Sequence, residues 1–242
     1  MYFVSIKNQS IICMKKNVLI TGASGNLGSS IVKKFIDEGY YVIGIVHQSS
    51  TLTALYKENY EEIVLNLLEE EKCLSTVQTI VQQKKIIDVA VLTAGGFAMG
   101  NIANTNTAAV YKQYQLNFET AYNMARPVFL QMLEQNAGRI FFIGSKAGYD
   151  TTKAKGVTAY ALSKALLFHV AEIMNDEAKE KNVVTSIVVP SIIDTLPNRK
   201  DMPDADFSKW VTPLQIAEAI YFYASEKAAA IREPIIKLYN QS

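Results

Sequence analysis

The sequence is short of cysteine, histidine and tryptophan, carries no long apolar run and has almost no net charge. Its two cysteines, Cys13 and Cys73, stand far apart with no paired spacing. Neither a disulfide framework nor a thiolate metal site is therefore written in the chain, which favours a reducing, cytoplasmic setting. With 24 Lys and Arg against 23 Asp and Glu the formal charge is +1, so there is no basic surface of the kind a nucleic-acid partner requires. No apolar stretch approaches the ~20 residues needed to cross a bilayer. The opening residues Met1 to Cys13 are broken by Lys7-Asn8-Gln9-Ser10 and lack a signal-peptide core and a small-residue cleavage site. Met14-Lys15-Lys16 is a more natural beginning. Residues 1–13 are read as an N-terminal extension, and 14–242 as one domain without linker, low-complexity tract or repeat.

What is present is an alternation. The 242 residues are 49% hydrophobic, enough for a sizeable core. Short apolar strands are expected at 17–21, 41–46, 62–66, 88–93, 139–144, 183–189 and 234–239. Between them lie amphipathic segments at 29–38 and 68–84, a long helix from about Thr107 to Gln135 with a kink at Pro127, a helix through Tyr160 to about Lys181, and one opened by Thr212-Pro213. Near-continuous apolar strands separated by helices imply an α/β fold, a doubly wound parallel sheet of about seven strands with helices on both faces.

Two stretches carry chemistry. The turn after the first strand, Gly22-Ala-Ser-Gly-Asn-Leu-Gly28, is glycine-rich at a strand-to-helix junction. There backbone can approach a ligand, and the N–H groups and dipole of a helix start favour a pyrophosphate. Its spacing is Gly-x-x-Gly-x-x-Gly, unlike the dinucleotide fingerprint of the long dehydrogenases. The second stretch runs from Ser145 to Lys164 and ends in Tyr160-Ala-Leu-Ser-Lys164. A Tyr and a Lys four apart share one helix face, and an ammonium beside a phenol favours its anion. Ser145, arriving from the preceding strand, is placed to hydrogen-bond the same substrate oxygen.

Together, Thr21-Gly-Ala-Ser-Gly-Asn-Leu-Gly28 and Tyr160-Ala-Leu-Ser-Lys164 resemble the Thr-Gly-x-x-x-Gly-x-Gly and Tyr-x-x-x-Lys motifs of the short-chain dehydrogenases/reductases. The resemblance runs from about Lys15 to Tyr239 and extends to Ser145, to Asn117 on the long helix, to Asn66-Leu67, and to Pro190-Ser-Ile-Ile-Asp-Thr195. It implies a Rossmann-type enzyme that transfers a hydride between a nicotinamide and a carbonyl, alcohol or imine. In it Tyr160 is the general acid/base, Lys164 lowers its pKa and holds the nicotinamide ribose, Ser145 orients the substrate oxygen, and Asn117 helps hold Lys164 through a water relay. The same resemblance assigns Gly22, Ser24, Asn26 and Leu27 to the pyrophosphate and adenosine ribose, and Asn66 and Leu67 to the adenine side. Ala94 and Gly95 flank the ribose; Pro190, Ile193 and Thr195 lie at the carboxamide. Three departures stand out: Asn26 replaces a glycine, at a turn where a left-handed backbone is expected; Thr93 precedes Ala94-Gly95 where the family has Asn; and Ser191 follows Pro190 in place of glycine.

Within the family, Asp194 to Trp210 and Ala94 to Asn101 resemble the dihydropteridine reductases, which implies quinonoid dihydropterin as an alternative substrate, although those enzymes have alanine where Ser145 stands. The 198–210 segment also reads as a lid shared by many related reductases. The end of the second strand is Val46-His47, not an acidic residue, and His47 to Ser50 are able to hydrogen-bond a phosphate. The reading therefore leans to NADP over NAD, without an arginine to clinch it. A homodimer or homotetramer follows by analogy, and a non-catalytic nucleotide-sensing protein on the same fold is the rival from another class. His169 reads as packed or at an oligomer face, and Glu69-Glu-Glu-Lys72 as a solvated helix start.

Overall fold

The computed structural model describes residues 15–232 and 235–241. The proposed extension over residues 1–13 and the opening Pro234 of the last expected strand lie outside the described residues. Seven strands form one parallel sheet: β1 (Asn17–Thr21), β2 (Tyr41–Val46), β3 (Tyr60–Val64), β4 (Val89–Leu92), β5 (Ala137–Ile143), β6 (Asn182–Pro190) and β7 (Ile235–Leu238). The helices are α1 (Asn26–Asp37), α2 (Leu52–Leu55), α3 (Glu70–Lys84), α4 (Thr107–Tyr114), α5 (Thr120–Glu134), α6 (Lys146–Tyr149), α7 (Thr158–Glu177), α8 (Leu196–Asp201) and α9 (Pro213–Ala224).

The strand order is β3-β2-β1-β4-β5-β6-β7, with Val18 paired to Val42 on one side and to Val89 on the other. Alternation along each strand feeds two cores, because successive side chains leave opposite faces. Val18, Ile20, Val42 and Val46 pack with Ile31, Val32 and Phe35 of α1 and with Ile216 and Ile220 of α9. Leu19, Ile43 and Ile45 pack on the other face with α3, α5 and α7 through Val77, Met124 and Leu167. Over the central strands β1, β2, β4 and β6 both faces are almost wholly buried, which is why those strands read as unbroken apolar runs.

Two expectations are corrected. The third strand begins at Tyr60, two residues earlier than read, and the poorly patterned stretch before it contains the short α2. The long helix is interrupted, and Pro127 lies inside its second part, α5. The irregular turn is a π-helical segment, Gln115–Glu119, between α4 and α5. Such a turn inserts a residue into the helical ladder and re-aims the side chains around it; here it presents Asn117 to the interior.

Candidate active site

Strand order reverses between β1 and β4, and in open α/β sheets the crevice at the carboxyl ends of the strands flanking that point is where ligands bind. The chain leaving β1 passes Gly22 at φ +64, a left-handed conformation that favours glycine. A Cβ at Gly28 would fall well inside contact distance of the Gly22 carbonyl oxygen, so α1 starts hard against the turn. Its N-terminus has no side-chain cap and no acidic residue in its first turn, whereas α4 and α9 are capped by Asn106 and Thr212. Ser24 and Asn26 are exposed around this open end. An uncapped helix start at the carboxyl end of β1 fits a pyrophosphate. Asn26 has no left-handed backbone: it is the first residue of α1, and the positive φ falls on Gly22.

Thr93, which departs from the family pattern, ties the two strands of the crevice together. Its hydroxyl donates to the Thr21 carbonyl at 2.6 Å, and the Ala94 N–H donates to Thr21 Oγ1 at 3.3 Å. Beyond it, Gly95 and Gly96 run past Asn117. The Asn117 side chain is buried, accepting from the Gly96 N–H at 3.0 Å and donating to the Gly96 carbonyl at 3.0 Å. Its Nδ2 also lies 3.0 Å from Gln113 Oε1 and 3.2 Å from Ser163 Oγ. A Cβ added at Gly95 would sit 2.7 Å from Asn117 Oδ1 and 3.4 Å from Lys164 Nζ. The structure thus brings Gly95, Asn117 and Lys164 together at one point, held by Gln113 and Ser163, two buried polar residues to which the sequence reading gave no role. Their spacing was the available signal: Gln113 lies one helical turn before Asn117, and Ser163 lies inside the Tyr-x-x-x-Lys motif.

Lys164 is buried and donates to the Ile143 carbonyl at 2.7 Å, at the end of β5. Desolvation pulls its pKa down from 10.5 to about 8. Tyr160 is half-buried one turn earlier, with its ring centroid 6.0 Å from Lys164 Nζ. Burial pushes the phenol above its ordinary value, and a hydrogen bond with Ser145 acts the other way. The Lys164 ammonium is turned to a backbone carbonyl, and desolvation is the largest cause of the shift in both groups. Ser145 is buried and caps α6, its Oγ accepting from the Gly148 N–H at 3.0 Å. Phe97, exposed to solvent, packs edge-on against the Tyr160 ring at 5.0 Å between centroids.

The remaining residues are distributed around the same edge of the sheet. His47, Gln48 and Ser49 are exposed after β2, but Ser50 is not free to meet a phosphate, because its N–H and hydroxyl both donate to Glu62. Asn66 is exposed after β3 and bonds its own turn, with Oδ1 accepting from the Leu68 N–H at 3.2 Å. Leu67 is buried, its carbonyl taken by Asn123 at 2.9 Å. Leu27 is half-buried on α1. Pro190 ends β6, and Ile193 is bridged to Val211. Thr195 caps α8, and Ile193 O accepts from Asn198 Nδ2 at 2.8 Å. The expected 198–210 lid is ordered by Arg199, which pairs with Asp194 at 2.5 and 2.7 Å and lies over Phe207, itself packed on the buried Trp210. His169 is exposed on α7, Nδ1 3.5 Å from Glu172 Oε2, rather than packed.

Comparisons with known proteins identify the family and the fold. The family model described as short chain dehydrogenase matches residues 16–206. A 3-oxoacyl-acyl-carrier-protein reductase FabG of Buchnera aphidicola (subsp. Schizaphis graminum) is 28% identical over 228 residues, covering 90% of this chain and 93% of the relative. A dihydropteridine reductase of Dictyostelium discoideum is also 28% identical, over 221 residues, covering 88% and 89%. Among solved structures, ElxO with NADP bound superposes with a TM-score of 0.85 at 24% identity, covering 93% of this chain and 97% of that one.

Proposed function

The chain belongs to the short-chain dehydrogenases and is an oxidoreductase of that family, and from that premise we propose that it reduces a carbonyl-type substrate with a nicotinamide dinucleotide bound across the β1–β4 crevice. The observation that carries the reading is the convergence of Ser145, Tyr160, Lys164 and Asn117 beside an uncapped α1 N-terminus. The dinucleotide supplies the hydride. Gly22, Ser24, Asn26 and Leu27 would hold the pyrophosphate and adenosine ribose at the start of α1, Asn66 and Leu67 the adenine side, and Ala94 and Gly95 the ribose next to the nicotinamide. Pro190, Ile193 and Thr195 would lie at the carboxamide.

Tyr160 gives its proton to the substrate oxygen in reduction and takes it back in oxidation; burial holds the phenol above its ordinary value, so it carries that proton at neutral pH. Ser145 orients that oxygen. Lys164 holds its charge beside the site from the Ile143 carbonyl, and Asn117 fixes the Gly95-Gly96 backbone against it. NADP is the first choice from the polar run His47 to Ser49, with NAD the alternative. A quinonoid dihydropterin is the second substrate reading, supported by the Dictyostelium relative at the same identity as the acyl-carrier-protein reductase.

A cytoplasmic homodimer or homotetramer completes the proposal, with residues 14–242 as a single domain. Leu162, Leu166 and Ile173 are exposed on α7, and Tyr111 and Tyr122 on the adjoining α4 and α5. They frame an aromatic ladder from Tyr111 through Tyr114 and Phe118 to Tyr122. No helix among the described residues is long and apolar enough to cross a membrane.

The test is titration of the purified protein with NADPH and NADH, then turnover of small ketones, quinones, a 3-oxoacyl thioester and quinonoid dihydropterin. Binding with turnover that disappears in Tyr160→Phe supports the reading. Turnover confined to the pterin moves the second substrate reading ahead. Binding of neither dinucleotide overturns the proposal.

A further inference from the structure

Glu62 has no role in the reading above, yet it fastens the loop that leaves β2. It lies on β3 opposite Gly44 of β2, one pleat below the end of both strands and on the same face as Tyr60. A Cβ at Gly44 would collide with the Tyr60 hydroxyl and ring. The missing side chain is what lets Tyr60 lie across β2 and place its hydroxyl 3.2 Å from Glu62 Oε2. From the other side the loop folds back onto the same carboxylate: the Ser50 N–H donates to Oε1 at 2.8 Å and the Ser50 hydroxyl to Oε2. Ser50 Oγ then accepts from the Leu52 N–H at 3.2 Å, at the start of α2. Among the described residues no lysine or arginine forms an ion pair with Glu62; its neighbours on the adjoining strands and loop are neutral donors.

Three neutral hydrogen bonds orient a carboxylate without cancelling its charge. The charge sits beneath His47 to Ser50, the loop that leaves the carboxyl end of β2, beside the crevice assigned to the adenosine ribose. We propose that Glu62 supplies from the neighbouring strand the negative charge that the end of β2 lacks, and that it weakens binding of a 2′-phosphate relative to a 2′-hydroxyl. The inference rests on the dinucleotide reading and opposes its lean to NADP. A 2′-phosphate carries close to two negative charges, so repulsion from a half-buried carboxylate, screened with a Debye length of ~8 Å at physiological salt, would act on NADPH and hardly on NADH.

The experiment is to measure Kd for NADPH and NADH on the full chain and on Glu62→Gln, which keeps the shape and an acceptor for Ser50 while removing the charge. NADPH affinity relative to NADH is expected to rise about fivefold, with NADH unchanged within about twofold, and the gain is expected to shrink in high salt. Glu62→Asp, which keeps the charge, is expected to keep the wild-type ratio. Glu62→Met repeats the test without charge or hydrogen bonds if the glutamine variant does not fold. An unchanged ratio in the neutral variants, or equal weakening of both dinucleotides, would overturn the inference and make Glu62 a packing residue only. Failure of the wild type to bind either dinucleotide would instead overturn the reading on which it rests.

Discussion

Replacing Lys164 by methionine removes the ammonium group but keeps an unbranched chain of similar length in the same buried slot. In the folded protein this lysine titrates near 8, against an ordinary value of 10.5, because burial disfavours its charged form. Between those values the unfolded chain binds more protons than the folded one, so the wild type gains stability as pH rises. Below the folded value both states carry the proton, and the full desolvation cost is present. The displacement of 10.5 to about 8 corresponds to ~3 kcal/mol in the limit. About 2 kcal/mol of it is recovered between pH 7 and 9.5. The methionine variant has no such group, so the difference in unfolding free energy between the two proteins should move by about 2 kcal/mol in favour of the wild type over that interval. Urea unfolding of both proteins at several pH values measures the difference, and other titrating groups common to the two largely cancel. A difference that stays constant with pH, or moves in favour of the variant, would refute the assignment of Lys164 as a desolvated cation.

Gly28→Ala drives a Cβ into the Gly22 carbonyl; dinucleotide affinity should fall at least about tenfold as the turn shifts, while circular dichroism shows the sheet intact. Asn117→Ala leaves the Gly96 N–H and carbonyl without their side-chain partner in a buried setting, with an expected loss of about 3 kcal/mol in urea unfolding. Asn117→Asp should recover only part of it, since a carboxylate accepts from the N–H but donates nothing to the carbonyl. In carbonyl reduction, kcat/KM should decline through pH 8 as Lys164 loses its charge. A second decline should come only above 10, where Tyr160, its pKa raised by desolvation, ionises; a profile flat on the alkaline side would contradict both assignments.

The lattice of apolar strands was legible because a doubly covered parallel sheet leaves no polar face to obscure it, and all seven strands appear close to where periodicity puts them. The glycine turn and the Tyr160–Lys164 pair were legible for a different reason: each is local, set by backbone conformation or by one helical turn. What the sequence did not carry were the non-local contacts. The interruption of the long helix at Gln115–Glu119 is one, and it sets the buried Asn117 against Gly96 across the crevice. The orientation of Lys164 toward Ile143, and with it the pKa directions of Lys164 and Tyr160, depends on how much water the packed helices exclude. Composition and pattern determined the fold class and the types of chemical group available. Only tertiary structure decided which groups share a low-dielectric pocket and which carboxylate, Glu62 on a neighbouring strand, lies under the loop after β2. Burial and cross-strand neighbours are properties of the assembled sheet, and no single segment encodes them.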